Sequence, residues 1–189
     1  MPLIAACGGG QSQDAGEPAG TFKVEVVGAT FPQRQHIAES VRLRLRVHNA
    51  DQKTLRNVAV TVATKANGAN AASAFGQRST GGGLSDSDRP IWILDEGPAG
   101  GDTAYVNTWS AGTLRAGETR ELEWKLVATK AGRYSIGYRV SPGLTGKAQA
   151  ARGRTSGSFE VTIDDQPVPA RVDANGKVVR GEAPGGASN

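Results

Sequence analysis

The sequence predicts an all-β protein, a sandwich of seven to nine short antiparallel strands with one long loop or hairpin insertion. Apolar and polar residues alternate with a period of two through several short segments, and turn-forming residues separate these segments. No segment keeps the 3.6-residue period of a helix for long enough to form a full helix. Strands of this kind bury one face and expose the other, so two sheets packed through their apolar faces account for the pattern.

The segment from Val41 to His48 shows the clearest alternation. A helix would scatter its apolar residues around the circumference, whereas a strand places them all on one face. We expect the core-facing residues of this strand to be Val41, Leu43, Leu45 and Val47. The opposite face then carries a basic row formed by Arg42, Arg44, Arg46 and His48.

Further alternating segments complete the predicted sandwich. They are Phe22–Val27, Asn57–Ala63, Pro90–Asp95, Thr103–Trp109, Glu121–Val127, Ala131–Val140 and Ser158–Ile163. The glycine-rich turn Gly97–Gly101 separates two of these strands and predicts a hairpin. Residues 65–90 are rich in Ala, Asn, Gly and Ser, which predicts a long surface loop with a brief helical turn at Ala71–Phe75.

Cys7 is the only cysteine among the 189 residues. It follows Leu3-Ile-Ala-Ala6 and precedes Gly8-Gly-Gly10. A short apolar run, two small residues, a cysteine and a flexible spacer resemble the lipobox of bacterial lipoproteins. The resemblance implies that Cys7 carries lipid and holds the protein on a membrane outside the cytoplasm, at the cell surface or in the periplasm. The alternative is a free cysteine on a flexible tail, since the apolar stretch before it is shorter than that of a signal peptide.

The chain divides into four predicted parts. Residues 1–7 are the remnant of the lipoprotein signal, residues 8–20 are a flexible linker, and residues 21–164 are the sandwich. Residues 165–189 form a mostly disordered tail, in which Ala174-Asn-Gly-Lys177 predicts a short hairpin.

Two stretches of the sandwich resemble a known family. Val41–Val62 joins two alternating strands through the turn Asn49-Ala-Asp-Gln52, and Gly112–Thr119 leads through a further strand to Lys130–Tyr134. Together they resemble the bacterial immunoglobulin-like modules of the CARDB and DUF11-like groups, over residues 22–163. The resemblance implies an immunoglobulin-like antiparallel β-sandwich and specifies a fold rather than an activity.

This resemblance also implies contacts between particular residues. In such a sandwich the second strand lies beside the fifth, so the basic row would face Glu121 and Glu123 and form a charge-paired surface. The alternative is a row that binds polyanions. Tyr134 follows Ala-Gly at the start of the penultimate strand and resembles the tyrosine corner of these domains. The insertion at 65–110 departs from the family pattern and leaves the strand order there open.

Composition narrows the function classes. The net charge is +4 and the pI is about 9.5, which favours anionic surroundings such as phospholipid head groups or acidic wall polymers. The aromatic residues lie in strand patterns rather than beside basic clusters, so we expect no nucleic-acid partner. With two histidines and neither an HExxH nor a GxSxG motif, we predict no enzyme and no cofactor.

Metal binding has one set of candidate residues. Calcium takes six to eight oxygen ligands, and loops rich in Asp and Gly supply them. The candidate carboxylates are Asp86, Asp88, Asp95, Glu96 and Asp102. Their spacing does not match an EF-hand, and solvated loop carboxylates are the interpretation we favour.

Six aromatic residues of the predicted strands either fill the core or line a ligand surface. They are Trp92, Tyr105, Trp109, Trp124, Tyr134 and Tyr138. Core packing is the interpretation we favour for the set. Trp92 differs because Ile91 and Ile93 already occupy one face of its strand. Either both faces of that strand are covered, or Trp92 is exposed and is the first candidate contact residue.

Taken together, these features favour a lipid-anchored extracytoplasmic module for protein interaction, adhesion or envelope scaffolding, without catalysis. The alternative is a glycan-binding or small-ligand-binding protein, with or without calcium. The expected partners are the membrane, through lipid on Cys7, and an envelope protein or glycan. We expect the contacts with that partner at 65–90, 96–102 and 141–157, with Arg42, Arg44 and Arg46 as further candidates.

Overall fold

The structure, a computed structural model, describes residues 16–65, 75–77 and 90–180. These residues form strands joined by turns, and none of them belongs to a helix that could cross a membrane. The strands are, in chain order, β1 (Gly20–Phe22), β2 (Val24–Thr30), β3 (Arg34–Ile37), β4 (Ser40–Asn49), β5 (Ala59–Lys65), β6 (Gly76–Gln77), β7 (Trp92–Ala99), β8 (Asp102–Tyr105), β9 (Thr108–Ser110), β10 (Thr119–Ala128), β11 (Gly132–Ser141), β12 (Ala148–Ala150), β13 (Ser156–Pro167), β14 (Ala170–Val172) and β15 (Val178–Arg180).

Most of these strands belong to two large sheets that enclose an apolar core. The five-stranded sheet has the order β2-β4-β10-β7-β6, and the six-stranded sheet has the order β3-β13-β11-β5-β9-β8. Trp92 of the first sheet meets Tyr134 of the second edge to face, with 5.9 Å between ring centroids. Trp124 meets Trp109 in the same way at 5.4 Å. Edge-to-face aromatic pairs of this kind therefore join the two layers.

The strand order is that of an immunoglobulin-like sandwich. β2, β4, β10 and β7 lie side by side in one sheet, while β5, β11 and β13 lie together in the other, which is the four-plus-three arrangement of this fold. The predicted fold class is therefore confirmed. The described residues contain more strands than the seven to nine predicted, because the additional ones have two to four residues and are too short to show a period.

The predicted alternation of the long strands is confirmed. The basic row of β4 points outward, and the apolar residues on the inner faces of β4, β10 and the segment Val58–Val62 are buried. These buried residues are Val41, Leu43, Leu45, Val47, Val58, Val60, Val62, Leu122, Trp124 and Leu126. Because β10 lies between β4 and β7, its apolar face forms the centre of the core in this sheet.

The predicted hairpin between Pro90–Asp95 and Thr103–Trp109 is wrong. β7 and β8 belong to different sheets, so the chain crosses from one sheet to the other near Gly101. The crossing is tight, since a Cβ on Gly101 would lie 2.8 Å from the carbonyl oxygen of Ser110. A hairpin forms one step later, between β8 and β9, where Asn107 adopts a left-handed φ of 61°.

Strand structure extends past the predicted end of the sandwich. β13 continues to Pro167, and β14 pairs with β15. The turn between these two strands is closed by a 2.9 Å hydrogen bond from the Asp173 amide to the Lys177 carbonyl. The predicted hairpin is confirmed, whereas the prediction of a mostly disordered tail is wrong as far as Arg180, because two hairpin strands satisfy each other's backbone groups.

Asn49 closes the turn after β4 from inside the protein. Its side chain is fully buried, and its Nδ2 donates to the carbonyl oxygens of Lys53 at 2.9 Å and Leu114 at 3.0 Å. Nδ2 also lies 3.0 Å from the Arg115 carbonyl, and Oδ1 accepts a hydrogen bond from the Asp51 amide at 3.0 Å. The side chain thus ties the turn after β4 to the segment before β10 through four hydrogen bonds to backbone groups.

Replacing Asn49 by alanine is expected to lower the free energy of unfolding by about 2–3 kcal/mol, because a buried side chain that makes several hydrogen bonds to the backbone is removed. Urea denaturation followed by tryptophan fluorescence measures this change. Asn175→Ala, in the exposed turn between β14 and β15, is the matched control and should stay within about 0.5 kcal/mol of the wild type. Equal stability of the two variants would contradict the role given to Asn49.

Candidate functional site

The strand directions define two ends of the sandwich. At the entry end, β4 finishes at Asn49, β10 begins at Thr119 and β11 finishes at Ser141. At the distal end, β11 begins at Gly132 and β5 finishes at Lys65. The N-terminal segment of the chain reaches the sandwich at the entry end, so this end is partly covered by the described part of that segment and the distal end is not.

Residues 17–22, the N-terminal strap, lie along the connection that follows β11. The Glu17 carboxylate accepts a hydrogen bond from the Leu144 amide at 2.7 Å. It accepts two more from Thr145, from the amide at 3.1 Å and from the hydroxyl at 2.7 Å. Gly143 leaves room for this carboxylate, because a Cβ there would lie 2.8 Å from Glu17 Oε2. The strap was predicted to be part of a flexible linker, which is wrong from Glu17 onward.

The environment of Glu17 favours its ionised form. Burial by itself would raise the pKa of this carboxyl group, but the hydrogen bonds from Leu144 and Thr145, together with one from Asn57, outweigh burial. The pKa of Glu17 is therefore lowered from its ordinary value of 4.5. At neutral pH the strap is held by a charged acceptor, which makes these hydrogen bonds stronger than neutral ones.

The basic row of β4 pairs with β10 in the predicted register. Arg44 lies opposite Glu123 and Arg46 lies opposite Glu121. Glu123 forms ion pairs with Arg44 and with Arg42, whose Nε lies 2.9 Å from Glu123 Oε1. Arg46 forms no ion pair with any residue that the structure describes. The predicted strand pairing is confirmed. Because Glu123 pairs with both Arg42 and Arg44, these two arginines are poorly placed to bind a polyanion.

A β-bulge in β7 brings two acidic side chains within ion-pairing distance of one lysine. Leu94 pairs with Leu126 while Glu96 pairs with Lys125, so Asp95 is an additional residue on its strand. As a result, the Lys125 Nζ lies 3.1 Å from a carboxylate oxygen of Asp95 and 3.1 Å from one of Glu96. Both hydrogen-bonded carboxylates raise the pKa of Lys125.

The structure does not bring the metal candidates together in the part of the chain that it describes. Asp95 and Glu96 are engaged by Lys125, and Asp102 lies on β8 in the other sheet. No group of three His, Cys, Asp or Glu side chains among the described residues is arranged to hold a metal ion. Asp86 and Asp88 lie outside those residues, as do Cys7 and most of the segment 65–90, including Ala71–Ala74.

Trp92 is a core residue and not a contact residue. It has 0% exposure, and its indole Nε1–H donates to the side-chain oxygen of Gln35 at 2.7 Å. Gln35, also fully buried, donates in turn to the Pro32 carbonyl at 2.8 Å. Of the two alternatives for Trp92, the one with both strand faces covered is therefore correct. Gln35 thereby satisfies the only polar atom of this buried ring.

The two histidines and Tyr134 have structural partners. His36 lies in β3, and its Nδ1 is 3.0 Å from the Gln166 carbonyl oxygen. His48 Nδ1 is 2.9 Å from the Thr119 hydroxyl. Tyr134 donates its hydroxyl to the Ala131 carbonyl at 2.8 Å, which confirms the tyrosine corner.

A cavity of about 410 Å³ opens at the edge of the sandwich where β6 and β7 face β8 and β9. Its walls include Phe75, Leu94, Thr103, Tyr105, Val106 and Trp109. Tyr105 is 54% exposed and Val106 is 79% exposed. Trp109, in contrast, is buried and forms the cavity floor against the core. The sequence pointed to Tyr105 as one of six aromatic candidates, but no local signal separated it from those in the core.

No known protein-family model matches this chain, and no curated protein matches it. Among solved structures, the chain is similar to the CARDB domain of the PF1109 protein from Pyrococcus furiosus, crystallised in complex with di-metal ions. The identity is 14% and the TM-score 0.45, over 77% of this chain and 94% of that one.

The chain is also similar to the part of native α2-macroglobulin from Escherichia coli that runs from domain MG7 to the C-terminus. Here the identity is 15% and the TM-score 0.45, over 79% of this chain and 18% of the other. A PapD-like domain of human CEP192 has 12% identity and a TM-score of 0.39, over 78% and 88%. The sequence resemblance to CARDB modules thus has a counterpart among solved structures. It concerns the fold alone, and no ligand or activity follows from it.

Glu123→Gln is expected to lower the melting temperature at neutral pH, because Arg42 and Arg44 lose their shared partner. The hydrogen bond from Arg44 lowers the pKa of Glu123 from its ordinary value of 4.5. A carboxyl group with a lowered pKa stabilises the fold at pH values above the ordinary pKa, and this stabilisation is lost as the pH falls through the lowered value.

Thermal unfolding of both proteins across pH 3–8, roughly the range that spans this titration, tests the expectation. The difference in melting temperature between wild type and Glu123→Gln should be present at pH 7 and shrink on acidification. Glu121→Gln is the matched control, since Glu121 forms no ion pair among the described residues. A difference that stays constant with pH would show that ionisation of Glu123 is not its source.

Proposed function

We propose that this chain is a lipid-tethered, extracytoplasmic immunoglobulin-like module that recognises a partner in the cell envelope. Cys7 in its lipobox-like context would carry the lipid, and the Gly-rich residues after it would form the spacer. The observation that carries the proposal is the strap, which attaches the N-terminal chain to one end of the sandwich through Glu17. A domain held at one end presents the other end away from the membrane.

The distal end offers the surface for a partner. β13 runs from the entry end to the distal end, and the hairpin of β14 and β15 follows it. In this hairpin Val172 and Val178 lie opposite each other and are 65% and 58% exposed. The predicted contact regions 96–102 and 141–157 lie mainly toward the entry end, whereas the segment after Lys65 starts at the distal end. Recognition is therefore assigned to the distal end.

Expression of the full chain in a bacterium with lipoprotein-processing enzymes tests both parts of this proposal. The wild type should incorporate a labelled fatty acid and sediment with membranes, while Cys7→Ser should do neither, because acylation supplies the stable attachment. A photo-crosslinking residue at Val172 should capture an envelope component that the same residue at Lys147, an exposed position at the entry end, does not. An unlabelled wild type would refute anchoring, and equal capture at both positions would refute the assignment to the distal end.

A second candidate function is binding of a glycan or another small ligand in the edge cavity. The specific observation is the combination of a cavity of about 410 Å³ with an exposed aromatic ring, Tyr105, at its rim. Small-molecule sites of known proteins are mostly apolar and hold roughly 300–1,000 Å³. Thr103 and Asn107 would supply the few polar groups that such sites use for orientation.

Titration with soluble pyranose oligosaccharides, such as chitotetraose, tests this second function through tryptophan fluorescence, because Trp109 is the tryptophan that lines this cavity. A saturable change in the wild type that Tyr105→Ser weakens about tenfold or more would support it, because the ring supplies much of the cavity rim. Tyr138→Phe, in the interior between the sheets, is the control and should bind as the wild type does. Without a saturable change, this cavity is not a pyranose site.

A further inference from the structure

We infer that residues 17–22 are a mechanical clamp, through which a pull on the N-terminal tether enters the sandwich along its strands rather than across them. The inference deepens the proposed function, since a tether transmits force only if the chain is anchored. It is carried by a different observation, which is the direction in which the strap packs on the sandwich.

The strap and the chain beneath it run in the same direction. Glu17 contacts Leu144 at the start of the strap. The Gly20 amide donates to the Lys147 carbonyl at 3.1 Å, and β1 then pairs with β12 in parallel as far as Phe22. The contacts therefore advance together along both segments. β1 leads directly into β2, which runs from the entry end toward the distal end, so a pull between Glu17 and the distal end acts along the strap.

Both ends of the strap are fastened, and by different interactions. At the inner end Phe22 is buried, and its carbonyl accepts a hydrogen bond from the Ala151 amide at 2.8 Å. At the outer end, the ionised carboxylate of Glu17 accepts hydrogen bonds from Leu144 and Thr145. Pulling Phe22 out of the core would expose its apolar ring to water. The hydrogen bonds to the Glu17 carboxylate hold the outer end of the strap against the sandwich.

This geometry decides how a pull is shared. Hydrogen bonds between strands lie roughly across the strand direction, so a pull along the strap strains all of them at the same time. A pull that lifts the strap away from the surface breaks the same bonds one after another. Without Glu17, the first backbone bond is that of Gly20, and the residues before it are free to lift. Glu17 thus prevents the strap from peeling away one hydrogen bond at a time, so that a pull has to strain all of its hydrogen bonds together.

Single-molecule force measurement on the full chain tests the clamp. Cys7 is the only thiol and accepts one handle in vitro, whether or not cells attach lipid there, and a C-terminal tag accepts the other. At constant force, Glu17→Gln is expected to shorten the lifetime before the first rupture about tenfold, since one of the two acceptor oxygens and the negative charge are lost.

Two controls distinguish the effect of Glu17 on the clamp from a general change in the stability of the protein. Glu121→Gln removes an exposed carboxylate elsewhere and should leave the lifetime unchanged. In a Cys7→Ser, Lys23→Cys protein the handle lies beyond the strap, so Glu17→Gln should no longer shorten the lifetime. Lys23 is exposed and accepts a handle without repacking.

Hydrogen exchange gives an independent readout in the absence of force. The amides of Leu144 and Thr145 should exchange faster in Glu17→Gln than in the wild type, because glutamine keeps only one acceptor oxygen, without a charge, for the two amides. Equal rupture lifetimes of wild type and Glu17→Gln with the handle on Cys7 would overturn the clamp. The same shortening with the handle at residue 23 would also overturn it. Neither result would bear on whether Cys7 is acylated in cells.

Discussion

The antiparallel register between β4 and β10 is the constraint on which the rest of the structure depends. On the inner face it sets Leu45 opposite Leu122 in the core, and on the outer face it sets Arg44 opposite Glu123. A slip by one residue would turn every apolar side chain of β4 to solvent and every arginine into the core. Apolar burial and charge pairing therefore select the same register. Because β10 is central in its sheet, the neighbouring strands take their positions from this pair.

Buried polar side chains add hydrogen bonds that the strand pairing itself does not supply. Asn49 satisfies the backbone of the turn after β4, and Gln35 satisfies the indole nitrogen of Trp92 between the two sheets. Gln35 thereby gives a buried indole group a partner, and Asn49 joins two segments of backbone. Glu17 does the same at the surface, where it caps the amides of the connection after β11. The contacts of Asn49 and Glu17 hold the entry end together, and that end orients the surface assigned to a partner.

Much of the fold was predictable from the sequence, because the long strands carry their own signal. The alternation from Val41 to His48 identified both faces of β4, and the family resemblance added its pairing with Glu123. The crossing near Gly101 was not predictable, because a glycine-rich connection looks the same whether it closes a hairpin or joins two sheets. Trp92 was left between two alternatives, since one strand with apolar residues on both faces does not reveal what covers it.

The sequence by itself determined where the long strands lie and which of their faces are apolar, and it placed Cys7 in a lipobox-like context. Periodicity of this kind is a property of neighbouring residues, so it needs no knowledge of the fold. Only the tertiary structure decided that Glu17 meets an amide 127 residues away at Leu144, and that the strands β6 to β9 bring Tyr105 and Trp109 to one cavity. Contacts between distant residues depend on how the two sheets pack, which no local pattern encodes.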